Sequence, residues 1–179
     1  MEIKLFVSDL DGTLLDTLAQ RLSFKEQWLQ VPSSQRPRLV YSTGRTWDST
    51  LQAIHAYRLA EPDYVISSVG TEIYDYPQQR ILPEFSQTLQ EGWHRPTVEA
   101  VIARLGYDIR RQPEDFQNAY KSSWYLLDAR PDQLETIREK LEEAGLEVTL
   151  VYSSSRDLDI LPRRADKGES LLWLLKHLR

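Results

Sequence analysis

No cysteine occurs among the 179 residues. That excludes a disulfide framework, a thiolate nucleophile and a thiolate metal site, so any nucleophile or metal ligand has to be oxygen or imidazole. Also missing is a long run of one charge: the formal net charge of -5 arises from 22 Lys and Arg against 27 Asp and Glu dispersed along the chain. A nucleic-acid footprint or a polybasic membrane patch requires clustered charge, and neither partner is expected. No apolar stretch reaches spanning length, and the opening residues carry Glu2 and Lys4 where a signal peptide would have its apolar region, so the expected location is cytoplasmic. Internal repeats and low-complexity tracts are absent. The length suits one modest α/β domain with a smaller insertion.

What the chain does contain is an alternation. Residues 3–8 form an apolar, β-branched-rich run that breaks into Asp9-Leu10-Asp11-Gly12-Thr13. Residues 38–42 form a second run, closed by Thr43-Gly44-Arg45, and residues 64–67 a third, closed by Val69-Gly70-Thr71. Between them lie helix-like segments at 18–29 and 46–57, the latter with Trp47, Leu51 and Ile54 at helical spacing. Strands alternating with helices predict a doubly wound parallel sheet, which binds ligands beyond the carboxyl ends of its strands, where these three loops gather. After Tyr76 the texture changes: Pro77 and Pro83 interrupt it, and aromatic residues such as Trp93, Trp124 and Tyr125 become frequent. Helices are predicted from Pro96 to Gly106 and from Pro131 to Gly145, with strand-like runs at 123–127 and 146–152. A further helix follows Asp166. The expected organisation is a core of residues 1–78 plus 160–179, with a small α/β unit inserted at 79–159.

Asp9 and Asp11 are the central constellation, because two carboxylates one residue apart at a strand end can divide the work of phosphoryl transfer. A carboxylate can attack phosphorus to give an aspartyl-phosphate, splitting a hard hydrolysis into two easier displacements; Asp9 is the candidate. Its neighbour Asp11 can protonate the departing oxygen and later deprotonate the attacking water, while Gly12 lets the backbone turn close to a phosphate and Thr13 helps shape the loop. The alternative is a plain Asp-Gly turn with Asp9 as a local cap. Thr43 can donate its hydroxyl to a phosphate oxygen or merely cap the following helix. Lys167 can neutralise phosphate charge or stand as a solvated surface lysine.

In order, Asp9-Leu10-Asp11-Gly12-Thr13, the strand leading into Ser42-Thr43-Gly44-Arg45, and Asp166-Lys167-Gly168 resemble the first three signature motifs of haloacid dehalogenase (HAD) phosphatases. Glu61-Pro62-Asp63-Tyr64, Val69-Gly70-Thr71-Glu72-Ile73-Tyr74 and the run from Ser153 to Pro162 narrow the resemblance to sucrose-phosphate phosphatases, over nearly the whole chain. The resemblance implies a HAD-like sheet with an α/β cap, and Mg2+-dependent hydrolysis of sucrose 6-phosphate. It makes Asp9 the nucleophile and Asp11 the acid/base, with Thr43, Lys167, Gly12 and Gly44 around the phosphate. Mg2+ would be held by Asp9, the Asp11 backbone carbonyl and water. Glu72, Lys121, Arg156 and Asp157 become candidates for contacting sugar hydroxyls from the cap side.

Three departures from the family pattern stand out. Ser155-Arg156 occupies the place of a common Gly-Lys pair, and Asp166 the place of a frequent Asn. The acidic residues of the fourth motif, on a strand after the lysine helix, are lacking, so the sheet is expected to be incomplete, with strand one as an exposed edge prone to self-association or to pairing with a partner chain. Two alternatives to a sucrose-phosphate phosphatase therefore stay open. One is a fragment or split chain acting as a sugar-phosphate-binding or partner-binding module; the other is another phosphosugar phosphatase of the superfamily.

Overall fold

The computed structural model describes residues 3–179; Met1 and Glu2, the latter one of the charged residues weighed against a signal peptide, lie outside the described residues. In chain order the elements are β1 (Leu5–Ser8), α1 (Leu18–Gln30), β2 (Arg38–Ser42), α2 (Trp47–Ala56), β3 (Tyr64–Ser67), β4 (Glu72–Asp75), β5 (Arg80–Ile81), α3 (Pro83–Gln87) and α4 (Arg95–Ile102). They continue with β6 (Arg110–Arg111), β7 (Ser122–Tyr125), α5 (Pro131–Glu143), β8 (Val148–Ser153), β9 (Asp157–Pro162) and α6 (Lys167–His177). The chain divides into two compact units, one running up to Pro83 and resuming at Lys167–Arg179, the other spanning Glu84–Asp166. No helix among the described residues is long and apolar enough to cross a membrane.

The first unit is built on a five-stranded sheet in the order β1-β2-β3-β4-β5. Its first three strands are parallel, with Val7 opposite Val40 and Val40 opposite Tyr64, as the alternation predicts. β4 and β5 are antiparallel additions, so the sheet is mixed rather than wholly parallel. Alternation along the strands sends Leu39, Tyr41 and Val65 to one face, where Trp28 of α1 and Ile54 of α2 bury against them. Val40, Ile66 and Ile73 belong to the opposite set and are also fully buried. α6 lies against β3 and β4 with Leu174 fully enclosed. Strand β1 pairs with β2 alone among the described residues. Its Phe6 keeps 40% of its surface exposed while leaning on Phe24 and Trp28 at ring separations of 5.6 Å.

The second unit is a four-stranded antiparallel sheet, β6-β7-β9-β8, packed on α4 and α5. Val98, Ile102, Ile137 and Leu141 of the helices meet Trp124, Leu126, Leu158 and Ile160 of the strands in one apolar core. Both domain boundaries differ from expectation. Residues 80–81 pair with β4 and so belong to the first unit. The second expected boundary, at 159, falls inside β9, which pairs along its length with β8, and the second unit runs on to Asp166 before the first resumes.

Candidate active site

Strand β1 delivers Asp9 in extended conformation (φ -74°, ψ 162°) to the loop that follows. One carboxylate oxygen of Asp9, Oδ1, accepts a hydrogen bond from the Leu10 amide at 2.7 Å; the other, Oδ2, accepts from Lys167 Nζ at 3.0 Å. Lys167 opens α6, and Ser170 Oγ, one turn on, donates to the Gly70 carbonyl at 2.8 Å, which ties the helix to the β3–β4 loop. The Asp9 and Lys167 side chains are 43% and 38% exposed. A pair so solvated adds at most about 1 kcal/mol of stability, so its significance lies in placement.

Gly12 turns the loop with φ +70°, and a Cβ there would meet nothing within 4 Å; backbone conformation, not crowding, calls for glycine. At Gly44 an added Cβ would make only ordinary contact, 3.8 Å from Val69 Cγ2, so no steric reason for glycine exists there.

Thr43, at the end of β2, is fully buried. Its amide donates to the Ile66 carbonyl at 2.9 Å, and its Oγ1 accepts from the Arg45 amide at 3.2 Å, which leaves the hydroxyl hydrogen to donate elsewhere. Capping of α2 falls to Thr46, whose Oγ1 accepts from the Ser49 amide. The neighbouring β3–β4 loop holds Ser68, Val69 and Gly70 at φ 51°, 62° and 89°. Two of these three left-handed residues carry a Cβ, and bonds from Ser68 N to Arg45 O at 2.7 Å and Gly70 N to Ser67 O at 2.9 Å hold them there.

Asp11 is gripped by Arg45, which motif reading passed over. Arg45 Nε and Nη2 donate to the two Asp11 oxygens at 2.8 and 2.7 Å, and Nη1 donates to Ser49 Oγ at 3.2 Å. The bond to Asp11 raises the Arg45 pKa above its ordinary value, so Arg45 is cationic at any working pH. Its place two residues beyond Thr43 was the available signal.

The four expected sugar contacts do not share one unit. Glu72 was expected on the cap side, but it starts β4 in the first unit because it pairs with Ser67 across the β3–β4 hairpin, and its carboxylate accepts from Ser67 and Ser68 hydroxyls at 3.2 Å. Lys121, Arg156 and Asp157 lie in the second unit. Lys121 is 3% exposed, with Nζ 3.3 Å from Asp159 Oδ1. Ser123 Oγ donates to the same oxygen at 2.6 Å, and Asp157 accepts from Gln112 Nε2 and Arg156 Nε at 3.1 Å. The Arg156 guanidinium stands 5.4 Å from the centre of the Tyr125 ring. Since Tyr125 opposes Asp157 and Ser123 opposes Asp159 across β7 and β9, all four project from the face opposite Trp124 and Leu158. The residues that sequence reasoning missed here are Asp159, Ser123 and Gln112; the polar-apolar alternation of Asp157-Leu158-Asp159-Ile160 was the readable signal of a half-buried strand.

No group of three or more His, Asp or Glu side chains placed to hold a metal occurs among the described residues. Asp9 and Asp11 nevertheless supply hard oxygen donors from a single turn, which suits Mg2+, an ion that keeps several waters and takes few protein ligands.

A strand-end aspartate facing a lysine from the last helix, over a mixed α/β sheet with a separate α/β unit inserted, defines a phosphohydrolase of the HAD class. A haloacid dehalogenase-like hydrolase from B. subtilis shares the fold at a TM-score of 0.60 with 19% identity, over 98% of this chain and 79% of that one. The model of the sucrose-6F-phosphate phosphohydrolase family matches residues 2–179. The sucrose-phosphatase of Synechocystis sp. PCC6803, solved in complex with sucrose and phosphate, superposes with a TM-score of 0.87 at 32% identity, over 99% of this chain and 71% of that one. Mannosylfructose-phosphate phosphatase of Agrobacterium fabrum is 36% identical over 177 residues, 99% of this chain and 71% of the relative. Sucrose-phosphatase 2 of Nicotiana tabacum is 35% identical over 182 residues, covering 98% of this chain but 42% of the tobacco protein. The chain belongs to the sucrose-6F-phosphate phosphohydrolase family of phosphoric monoester hydrolases.

Proposed function

We propose that this chain hydrolyses a sugar phosphate to sugar and inorganic phosphate through an aspartyl-phosphate on Asp9, with sucrose 6-phosphate as the first substrate. The observation that supports this above all is the 3.0 Å contact between Lys167 and Asp9, residues 158 positions apart in the chain. In the first displacement an Asp9 oxygen bonds to phosphorus, the bond from phosphorus to the sugar oxygen breaks, and the Asp11 proton passes to that oxygen. In the second, water attacks the same phosphorus, gives one proton to Asp11 and frees Asp9. Lys167 offsets phosphoryl charge and the Thr43 hydroxyl donates to a phosphoryl oxygen. Asp9 and the Asp11 carbonyl would hold Mg2+, which when bound neutralises charge on the transferring group.

Identity to the mannosylfructose-phosphate phosphatase favours a second reading within the same chemistry, with mannosylfructose phosphate as substrate. The test is phosphate release from both compounds at equal concentration, with and without Mg2+. Release that requires Mg2+ and vanishes in Asp9→Asn is expected, with Lys167→Ala slower by about 10²–10³-fold as for other lost transition-state charges. Equal release from wild type and Asp9→Asn would sink the aspartyl-phosphate route, and a folded wild type that releases nothing would sink the activity.

A further inference from the structure

We propose that Arg45 is a positioning residue for Asp11, holding its carboxylate where it can serve the leaving oxygen; the inference rests on the phosphatase reading above. Among the described residues, Arg45 makes every side-chain hydrogen bond to the Asp11 carboxylate, at 2.7 and 2.8 Å. Without it, Asp11 would stand free on a turn whose next residue is the left-handed Gly12. The pair is a poor device for stability, because its side chains are 30% and 55% exposed. It is a good device for orientation, because Arg45 is itself held at three points. Its amide donates to Thr43 Oγ1 at 3.2 Å, its carbonyl accepts from Ser68 N at 2.7 Å, and Nη1 donates to Ser49 Oγ at 3.2 Å. A planar guanidinium spends one edge on the carboxylate and keeps a third nitrogen for the anchor; an ammonium has no such fork. The end of β2 that carries the phosphate-binding Thr43 thereby also sets the rotamer of the acid/base.

The step that depends on this rotamer is the first displacement, in which the proton of Asp11 goes to the sugar oxygen as that oxygen leaves phosphorus. A nitrophenolate leaves phosphorus without needing a proton. Both substrates place the same phosphoryl group over Asp9, so their comparison separates service to the leaving group from contact with the phosphate. The parameter to compare is kcat/KM, which covers only the steps through leaving-group departure.

The experiment is kcat/KM for sucrose 6-phosphate and for p-nitrophenyl phosphate in wild type, Arg45→Ala and Arg45→Lys, with folding followed by circular dichroism. For Arg45→Ala the expected fall with the sugar phosphate is about 10²-fold, the lower range for a general acid. The fall with p-nitrophenyl phosphate should be at least about ten-fold smaller. Arg45→Lys should recover little, since it restores charge without the fork; should Arg45→Ala fail to fold, Arg45→Lys carries the comparison. Equal falls with both substrates, or full recovery by lysine, would overturn the inference and make Arg45 a phosphate-binding cation. A wild type that hydrolyses neither compound would instead remove the phosphatase reading, and this inference with it.

Discussion

Tyr41 is the largest fully buried side chain of the first sheet, and its hydroxyl donates to the Ala60 carbonyl at 2.7 Å. Burial first, and then the nearby Tyr76, push its pKa well above that of a free phenol. The unfolded chain therefore loses this proton at a pH where the folded chain keeps it, so stability is fully present below about pH 10 and declines as pH rises beyond. Melting temperatures of wild type are expected to fall between about pH 10 and 11, and Tyr41→Phe should show a shallower decline from a lower starting point, because it also loses the bond to Ala60. Parallel slopes would mean that other groups govern alkaline unfolding. At this scale the chemistry was readable where it sits in contiguous motifs: Asp9, Asp11, Thr43 and Lys167 stand in strings whose residue types phosphoryl transfer needs. Arg45 and Asp159 were not read, because their partners, Asp11 and Lys121, are brought to them by the sheets.

Among the elements, α1 shows how local signals act. Thr17 Oγ1 accepts from the Gln20 amide at 3.2 Å while Gln20 Oε1 accepts from the Thr17 amide at 3.1 Å, a reciprocal capping box. Only Trp28 of this helix is buried, so its start depends on the cap more than on packing. Thr17→Ala is expected to cost about 1 kcal/mol, seen as a lower urea midpoint at unchanged slope; an unchanged midpoint would show that packing alone holds α1. β2 and β3 were legible because buried parallel strands read as short continuous apolar runs closed by small residues. β4 and β5 were not, because antiparallel additions of four and two residues leave almost no periodic signal. β9 was not read as a strand: its residues served only as a family motif and as candidate sugar contacts, whereas they form the central pairing of the second sheet.

For the whole molecule, the two units differ in how the chain makes them. The second is one uninterrupted segment, Glu84–Asp166, with its own sheet and apolar core. A peptide of residues 84–166 is therefore expected to fold alone, with dispersed amide resonances and a cooperative melt; a featureless spectrum would refute that autonomy. The first unit needs two separated stretches of chain, and its boundaries were misjudged by a few residues because residues 80–81 still pair in the first sheet and residues 160–162 still pair in the second.

That discontinuity has a consequence for how the protein is born. Asp9 leaves the ribosome early, whereas Lys167 is made 158 residues later, a delay of roughly 8–30 s at ordinary elongation rates of about 5–20 residues per second. From the point in that interval at which β4 has been made, β1, β2, β3 and β4 can pair without α6, leaving the face of β3 and β4 that α6 covers exposed. The nascent core is therefore expected to stay exposed until the inserted unit has been synthesised, so slow codons or a stall within residues 84–166 are expected to raise aggregation.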